Sequence, residues 1–254
     1  MLNRSKISKT LFITGGSKGL GLTILKKYLD NGYDAICVSR TKPKLTKFKN
    51  KVKFIKCDLS DTSAENIIHN FLTTQNIRID TLINNVGKSN WKSLQQINYK
   101  FINEMFQLNL FSTIMVTKIT QKYFKKNSSI INISSLASKR GTINNSIYCS
   151  AKFALNGFTQ SLSKELGKKG IRVNAICPVL VKTPGLTEAL KSKESPSNGK
   201  NINKFLLDFK NKQTALNKLP SAIDVSNLCI FLSSPFSNSI TGQCINIDCG
   251  ILSN

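Results

Sequence analysis

The sequence predicts a single α/β domain built on a parallel, doubly wound sheet of about seven strands, with helices on both faces, as in a Rossmann-like fold. Two observations carry this prediction. Short apolar runs recur along the chain near 10–14, 34–39, 52–57, 80–84, 129–134, 171–176 and 243–247. Stretches with apolar residues at helical spacing fill most of the gaps, notably 19–31, 61–74, 99–125, 146–168 and 221–233. The 254 residues, 40% of them hydrophobic, can bury one full core, and no repeat or linker divides them.

The first strand runs directly into a glycine-rich turn. The apolar run 10–13 is followed by residues 14–21, which read TGGSKGLG, and helical spacing begins there. Strand, glycine turn and helix in this order form the context of a dinucleotide site. Gly15 would allow the tight turn, Gly19 would let backbone approach a pyrophosphate, and Gly21 would let helix and strand pack closely. The N-terminus of the helix would offer free N–H groups to phosphate.

The end of the second strand predicts which dinucleotide binds. A site that prefers NAD usually carries an acidic residue here, which bonds the ribose hydroxyls. This chain has Ser39 and Arg40 instead, and Lys18 lies in the glycine turn. Cations attract a 2′-phosphate that a carboxylate would repel, so we expect NADP(H) rather than NAD. The alternative is that Arg40 merely points into solvent.

A serine, a tyrosine and a lysine suggest carbonyl chemistry. Ser135 follows the apolar run 130–133, and Tyr148 and Lys152 are spaced four residues apart, on one face of the next predicted helix. A phenol beside an ammonium is an acid whose anion is stabilised, so its pKa is expected to fall. These three groups can meet at one point to polarise and protonate a carbonyl. Taken alone, the Tyr148–Lys152 spacing would also fit an ordinary surface pair.

Together these features resemble the short-chain dehydrogenase/reductase family, in its single-domain branch. The matching pieces are Thr14–Gly21, Asp58, Asn84-Asn85-Val86-Gly87, Asn109, Ser135, Tyr148, Lys152, Pro178–Thr183 and Thr241-Gly242, in the family's order. They span nearly the whole chain. The resemblance implies one domain over residues 1–254 that interconverts a ketone and a secondary alcohol by hydride transfer with NADP(H).

The resemblance also implies the role of each catalytic residue. Tyr148 would protonate the carbonyl oxygen, and Ser135 would hydrogen-bond the same oxygen. Lys152 would lower the pKa of Tyr148 and bond the nicotinamide ribose. Asn109 would hold a water that links Lys152 to solvent.

The cofactor site implied by the resemblance is larger. Asp58 would contact the adenine edge, Thr183 would bond the nicotinamide carboxamide, and residues 85–87 would line the ribose. The full set is Gly15, Ser17, Lys18, Gly19, Leu20, Gly21, Ser39, Arg40, Asp58, Leu59, Asn85, Val86, Gly87, Tyr148, Lys152, Pro178, Val181 and Thr183. The chain departs from the family pattern at Val86, which is usually Ala, and at Val179, which is usually Gly. The second departure puts the local backbone geometry in doubt.

One stretch breaks the alternation of strands and helices. Residues 183–213 are polar in their middle and follow the sixth strand, so their root would lie at the carboxyl edge of the sheet, where ligands of such sheets bind. The segment is either a disordered insertion or a mobile lid. The resemblance implies a substrate loop at this place, so we favour a substrate lid. Trp91 would either face the substrate or serve in packing.

The net charge is +24, from 37 Lys and Arg residues against 13 acidic residues. Such a field attracts anions, including nucleic acids and acidic carrier proteins. However, 32 of the cations are Lys and 5 are Arg, and Asn occurs 27 times, which favours the codon bias of an AT-rich genome as the cause. The lysines of residues 42–53 are expected to form a solvated face near the adenosine end of the cofactor.

Substrate and partners stay open at this stage. Reduction of 3-oxoacyl groups on acyl carrier protein is ranked first, on frequency among bacterial relatives. A keto-sugar reductase or dehydrogenase of surface-polysaccharide biosynthesis is the alternative, because the polar lid could cover a hydrophilic substrate. A non-catalytic NADP sensor would be expected to have lost Tyr148 or Lys152, and a nucleic-acid-binding protein is the remaining rival. The family commonly forms homotetramers or homodimers, through helices that correspond to 99–125 and 146–168.

The sequence also predicts the compartment. No apolar run approaches the roughly 20 residues that span a bilayer, and residues 1–6 lack an apolar signal region. The seven cysteines are an odd number without a C-x-x-C pair, as expected of thiols in a cytoplasmic protein. One histidine and no ligand-spaced cluster predict that no metal is bound.

Overall fold

The recurrent apolar runs form the strands of one sheet in the structure, a computed structural model that describes residues 8–75 and 77–252. The strands are β1 (Thr10–Thr14), β2 (Asp34–Ser39), β3 (Val52–Lys56), β4 (Ile79–Asn84), β5 (Phe124–Ile133), β6 (Arg172–Pro178) and β7 (Cys244–Ile247). The helices are α1 (Gly19–Asp30), α2 (Ala64–Thr74), α3 (Tyr99–Phe106), α4 (Ser112–Thr120), α5 (Ser146–Gly167), α6 (Pro184–Ala189), α7 (Ile202–Gln213) and α8 (Ala222–Ser233).

All strand pairs are parallel, in the order β3-β2-β1-β4-β5-β6-β7. The chain order reverses between β1 and β4, and ligands of open α/β sheets bind at such a switch point, beyond the carboxyl ends of the strands. One apolar cluster packs α2, α4 and α5 against one face of the sheet, and a second packs α1 and α8 against the other. The predicted doubly wound, Rossmann-like α/β fold is therefore confirmed.

The predicted single helix 99–125 is divided in two. A wider π-type turn over Gln107–Phe111 separates α3 from α4, and β5 already begins at Phe124. Within the turn, the Asn109 side chain donates a hydrogen bond to the Met105 carbonyl at 2.9 Å. Wider turns of this kind appear often at functional sites. Its effect here is to bury Asn109 completely below the carboxyl ends of the strands.

Buried amides tie the sheet to the helices that carry the predicted catalytic residues. Asn84 Nδ2 donates to Asn132 Oδ1 at 2.9 Å and to Thr117 Oγ1 at 3.1 Å. Asn132 Nδ2 in turn donates to Thr159 Oγ1 of α5 at 2.9 Å. Buried side-chain networks of this kind help to specify one arrangement of a core, although Asn84 Oδ1 itself has no hydrogen-bond partner. They set the position of α5 relative to the ends of β4 and β5.

The segment 183–213 is folded into α6, a series of turns and α7. The side chain of Thr183 caps α6, whose first residue is Pro184. Buried hydrogen bonds stabilise the turns that follow, because the hydroxyls of Ser195 and Ser197 both donate to the Leu190 carbonyl. The polar middle of the segment, residues 191–200, buries only Ser195 and Ser197, whereas Leu190 and Leu206 on either side of it pack with Trp91 in a small apolar cluster. Across residues 8–75 and 77–252, no helix combines the length and apolarity needed to cross a membrane.

Candidate active site

The glycine turn after β1 has a backbone that only glycine readily adopts. Gly15 and Gly19 have φ values of +68° and +54°, in the left-handed region that glycine tolerates best. A Cβ at Gly21 would collide with the Gly15 carbonyl oxygen, so only glycine lets α1 approach the turn this closely. A Cβ added at Gly19 would make an ordinary contact with the Thr183 Cβ at 3.8 Å, so Gly19 is favoured by its backbone conformation and not by a lack of space.

The end of β4 is fastened to this turn. Asn85 Nδ2 donates to the carbonyls of Thr14 and Gly15, both at 3.2 Å. The backbone N–H groups of Asn85 and Val86 donate to Thr14 Oγ1 at 3.0 and 3.3 Å. Val86 Cγ2 would lie 3.1 Å from a Cβ on Gly15, so the larger side chain packs against the turn where the family pattern has Ala. The predicted ribose-lining residues therefore lie directly beside the predicted pyrophosphate-binding turn.

A basic and an acidic residue flank the predicted adenosine end. Arg40 Nη1 lies 3.8 Å from Asp58 Oδ2, and both side chains are largely solvent-accessible, at 72% and 42%. Hydrogen bonds from Ser60 and then the Arg40 charge hold the pKa of Asp58 below its usual range. Arg40 thus reaches across the carboxyl ends of β2 and β3.

Hydroxyl groups form hydrogen bonds that link the end of β2 to the glycine turn. Ser39 Oγ donates to the Thr41 carbonyl at 2.9 Å, and Thr41 Oγ1 donates to Ser17 Oγ of the glycine turn at 3.1 Å. Leu59, by contrast, is buried in the apolar cluster of the α2 face. Any cofactor contact at Leu59 would therefore come from its backbone.

Lys152 is buried beside Tyr148. Its exposed fraction is 3%, and its Nζ donates to the Ile133 carbonyl at 2.9 Å. The same Nζ lies 5.8 Å from the centroid of the Tyr148 ring. Ser135 caps the short turn Leu136–Ser138, where its Oγ accepts from the Ala137 N–H at 3.1 Å. The three residues predicted to act on a carbonyl are thus brought together at the end of β5.

The pKa of Tyr148 differs from the sequence-based expectation. Desolvation raises it to about 12, with the Ser135 hydroxyl acting in the opposite direction. Burial lowers the pKa of Lys152 to about 8. The expected lowering of the Tyr148 pKa by Lys152 is therefore not found, because the loss of hydration outweighs any other influence on the phenol.

Gly87 separates Asn109 from Lys152. A Cβ at Gly87 would lie 2.9 Å from Asn109 Oδ1 and 3.3 Å from Lys152 Nζ. The Asn109 side chain is held by the backbone of Lys88. The Lys88 N–H donates to Asn109 Oδ1 at 3.1 Å, and Asn109 Nδ2 donates to the Lys88 carbonyl at 3.0 Å. The absence of a side chain at Gly87 keeps this space open between the two polar groups.

The Pro178–Thr183 segment closes the site from the β6 side. Pro178 and Val181 are buried, and Thr183 Oγ1 accepts from the Leu186 N–H at 3.2 Å. The Val179 N–H donates to the Ile247 carbonyl at 3.0 Å. The backbone at Val179 avoids the left-handed region, so it tolerates valine in place of the family's glycine.

Residues that the sequence analysis missed fasten the folded segment 183–213 to neighbouring loops. Gln96 Nε2 donates to Glu194 Oε1 at 2.9 Å, and Asn144 Nδ2 donates to the Glu194 carbonyl at 3.1 Å. Trp91 is 5% exposed and packs with Leu190 and Leu206, which supports the packing role over a substrate-facing one. The polar Asn144-Asn145 pair before Tyr148 was the only sequence signal for such a fastening.

These residues fit a nicotinamide dinucleotide. The tight glycine turn, which leaves no room for a side chain at Gly15 or Gly21 and leads into the N-terminus of α1, suits a pyrophosphate, and Lys18 in the turn and Arg40 at the end of β2 are exposed cations. No group of three or more His, Cys, Asp or Glu side chains suited to a metal occurs within residues 8–75 and 77–252. The fold and the site therefore define an α/β oxidoreductase that works with a nicotinamide cofactor.

Comparison with known proteins identifies the family. The family description "short chain dehydrogenase" matches residues 9–194, and the chain belongs to that family. It is 29% identical to L-2,3-butanediol dehydrogenase of Corynebacterium glutamicum over 98% of this chain and 100% of that protein. It is 30% identical to a 3-oxoacyl-[acyl-carrier-protein] reductase of Chlamydia trachomatis, covering 96% of this chain and 98% of the relative.

Solved structures show the same fold. A short chain dehydrogenase family protein from Francisella tularensis superposes with a TM-score of 0.87 at 27% identity, covering 96% of this chain and 98% of its own. The structure described as ElxO with NADP bound has a TM-score of 0.83 at 28% identity, covering 98% and 100%. Both similarities extend over the strands that carry the candidate site.

Proposed function

We propose that this enzyme interconverts a ketone and a secondary alcohol with NADP(H), within a single domain that comprises residues 1–254. The observation that carries the proposal is that Ser135, Tyr148 and Lys152 come together on the same edge of the sheet as the glycine turn. Ser135 and Tyr148 would bind the carbonyl oxygen, and Tyr148 would donate its proton to that oxygen during reduction. When bound, the reduced cofactor supplies the hydride that reaches the carbonyl carbon.

The surroundings of Tyr148 suit a proton donor. A phenol with a pKa of about 12 is fully protonated at neutral pH, as an acid must be. Lys152 would leave the Ile133 carbonyl to bond the nicotinamide ribose, and its charge would then stabilise the phenolate that forms at Tyr148. Asn109 would hold the water that returns a proton through Lys152.

The preference for NADP(H) rests on the basic residues at the adenosine end. Arg40 is largely exposed, lies at the end of β2 and has only a long contact to Asp58, so its guanidinium can turn to a 2′-phosphate. Lys18 and Ser39 would contribute to the same phosphate site, while Asp58 would contact the adenine. The similarity to ElxO, whose structure holds NADP, supports this assignment.

For the substrate, we propose a compact polar ketone, such as a vicinal hydroxyketone or a keto-sugar. The segment 183–213 is fastened by Glu194 to Gln96 and to Asn144, in the loop before Tyr148, and we propose that it thereby limits the size of the substrate. The similarity to a butanediol dehydrogenase over the full length agrees with a small substrate. We treat the segment as the lid of the site.

A second candidate is reduction of a 3-oxoacyl thioester on acyl carrier protein. The similarity to reductases of that activity favours it, and the net charge of +24 suits an acidic carrier. It requires the lid to move aside for the acyl chain and its linker.

The assembly and compartment belong to the same proposal. Phe111, Ile114 and Phe153 expose 36–47% of their surface along the turn before α4, α4 itself and α5, and we propose that a homodimer or homotetramer covers them. All seven cysteines are free thiols and five are buried, which agrees with a reducing cytoplasm.

The experiment is a panel of oxidation assays with NADPH and NADH. Acetoin or diacetyl, a keto-sugar such as xylulose, and an acetoacetyl thioester are offered to the same preparation. Turnover of a small ketone with NADPH supports the proposal, and turnover of the thioester alone moves the enzyme to the second candidate. Saturable NADPH binding without turnover of any ketone would leave a sensor as the better description.

A further inference from the structure

The connection between β2 and β3 lacks the helix that the other crossovers have. Residues 40–51 are all described and hold no α-helix, only a 3-10 turn at Lys49–Lys51. The remaining crossovers carry at least one α-helix each. Parallel strands usually need such a helix to cover the sheet. One face of the sheet at its β3 edge is therefore covered by a loop alone.

The missing helix leaves an apolar hollow. A cavity of about 420 Å³ lies on this edge, with Leu45, Val52 and Phe54 among its lining residues. These three side chains are only partly buried. Val52 and Phe54 pair with Ala35 and Cys37 of β2, so they lie on the α1 face of the sheet. The hollow thus occupies the place beside α1 where a crossover helix would lie.

The surroundings of the hollow are strongly basic. The stretch 40–56 contains eight of the chain's 37 Lys and Arg residues, and no acidic residue occurs between Asp34 and Asp58. Lys42, Lys44 and Lys49 line the cavity itself and are exposed. An apolar floor with cations on its rim is complementary to a helix that has an apolar stripe and acidic flanks.

We propose that this hollow is a docking site for an acidic amphipathic helix of a partner protein. The partner helix would lie where the β2–β3 crossover helix is missing, with its apolar side chains on Phe54, Val52 and Leu45. Its carboxylates would face Lys42, Lys44 and Lys49. Four strand spacings separate β3 from β5, about 19 Å, so this surface is remote from Tyr148 and distinct from the substrate path.

Two alternative roles for these lysines predict different binding behaviour. Lysines on an edge strand also serve to prevent sheet-to-sheet aggregation, and in that case no helix binds. A nucleic acid would use the same cations, but a partly buried apolar floor gives it no advantage over an unstructured basic surface. The apolar contribution to binding therefore distinguishes helix docking from both alternatives.

The test uses fluorescence anisotropy with labelled probes and the full chain. The first probe is a peptide of about 16 residues with Leu on one helical stripe and Glu elsewhere. The second is a shuffled peptide of the same composition, which lacks the stripe. The third is a single-stranded oligodeoxynucleotide of similar charge. We expect the striped peptide to bind about tenfold more tightly than the shuffled one, since only it can bury an apolar face.

Matched variants locate the site. The double variant K44E/K49E reverses the charge at the rim of the hollow and is expected to weaken binding of the striped peptide about tenfold or more. Phe54→Ala removes part of the apolar surface of the hollow and is expected to weaken it about fivefold. The control K122E/K126E makes the same change in net charge elsewhere and should change binding less than about twofold. Thermal unfolding confirms that each variant is folded, and the kcat for ketone reduction at saturating NADPH should be unchanged in K44E/K49E.

Four results would overturn the proposal. Equal binding of the striped and shuffled peptides, or no loss in Phe54→Ala, would reduce the surface to a nonspecific cationic patch. Tighter binding of the oligonucleotide than of the striped peptide, lost in K44E/K49E, would assign the surface to nucleic acid instead. Absence of peptide binding would leave the lysines as protection of the β3 edge.

Discussion

The two halves of the candidate site are built in different ways. The cofactor half, at the ends of β1, β2 and β4, is shaped by backbone, with glycines at positive φ and close approaches that exclude any side chain. The other half, beside residues 183–213, is the one that we propose for the substrate (the substrate half), and it is held by side chains, through the Trp91 cluster and the bonds of Glu194. Steric exclusion of side chains therefore allows the cofactor half to accept only one ligand geometry. The substrate half, in contrast, can be altered by single side-chain changes without disturbing the sheet.

The largest effect is expected at Gly21. Gly21→Ala places a Cβ against the Gly15 carbonyl, so the turn must shift and NADPH affinity should fall more than about a hundredfold. The measurement is NADPH binding by fluorescence. Gly157→Ala is the matched control, since nothing lies within 4 Å of a Cβ there. Retention of normal affinity in Gly21→Ala would contradict the steric account of the cofactor half.

Arg40 is the one side chain of the cofactor half expected to decide specificity. Arg40→Ala should lower the ratio of kcat/KM for NADPH over NADH by about ten- to a hundredfold, as expected for loss of a charge-assisted contact to phosphate. Arg40→Lys should lie between Arg40→Ala and the wild type, because it keeps the charge without the planar fork. An unchanged ratio in Arg40→Ala would mean that Arg40 does not read the 2′-phosphate.

Trp91 should have its largest effect on the substrate half. Trp91→Ala removes the buried ring that packs with Leu190 and Leu206, so the proposed lid should open more often and the KM for the ketone should rise about tenfold. Hydrogen exchange should increase in α6 and α7 and stay unchanged in β1 and β4. Trp91→Phe, which keeps an aromatic ring, is the control. A general loss of protection would show that Trp91 supports the whole fold.

Glu194 should give the smallest effect. Bonds from Gln96 and Ser192 hold the pKa of its carboxyl below the usual range, so this contribution is present at neutral pH and is lost as the pH falls through that lowered pKa. Glu194→Gln should raise lid exchange at pH 7 about twofold, since these contacts are exposed. The difference from wild type should disappear in acid. A difference that persists in acid would exclude the carboxylate as the fastening group.

The sheet and the cofactor half were largely predictable from the sequence. Strand patterns and glycine spacing are local signals, and β1, β2, β4 and the glycine turn lie where they were predicted. The substrate half was not predictable to the same degree. Its polar middle gave no helical signal, and the burial of Ser195 and Ser197 depends on bonds to Leu190 that only the folded segment makes.

Two further errors have physical causes. The π-type turn at Gln107–Phe111 contains Asn109, whose side chain bonds the backbone of Lys88, and this contact between distant segments has no local signature in the sequence. The pKa of Tyr148 was predicted from its neighbour Lys152 alone. Burial acts on both groups, and it raises the phenol's pKa while lowering that of the ammonium, so proximity in sequence gave the wrong direction.

The central claim is that Tyr148 is the proton donor of a ketone reduction that uses NADPH. The most direct test measures NADPH binding and ketone turnover in Tyr148→Phe, which keeps the ring and removes only the hydroxyl. We predict that turnover falls by at least about a hundredfold while NADPH affinity changes less than about threefold. Turnover near that of the wild type would contradict the claim and show that the proton comes from another group.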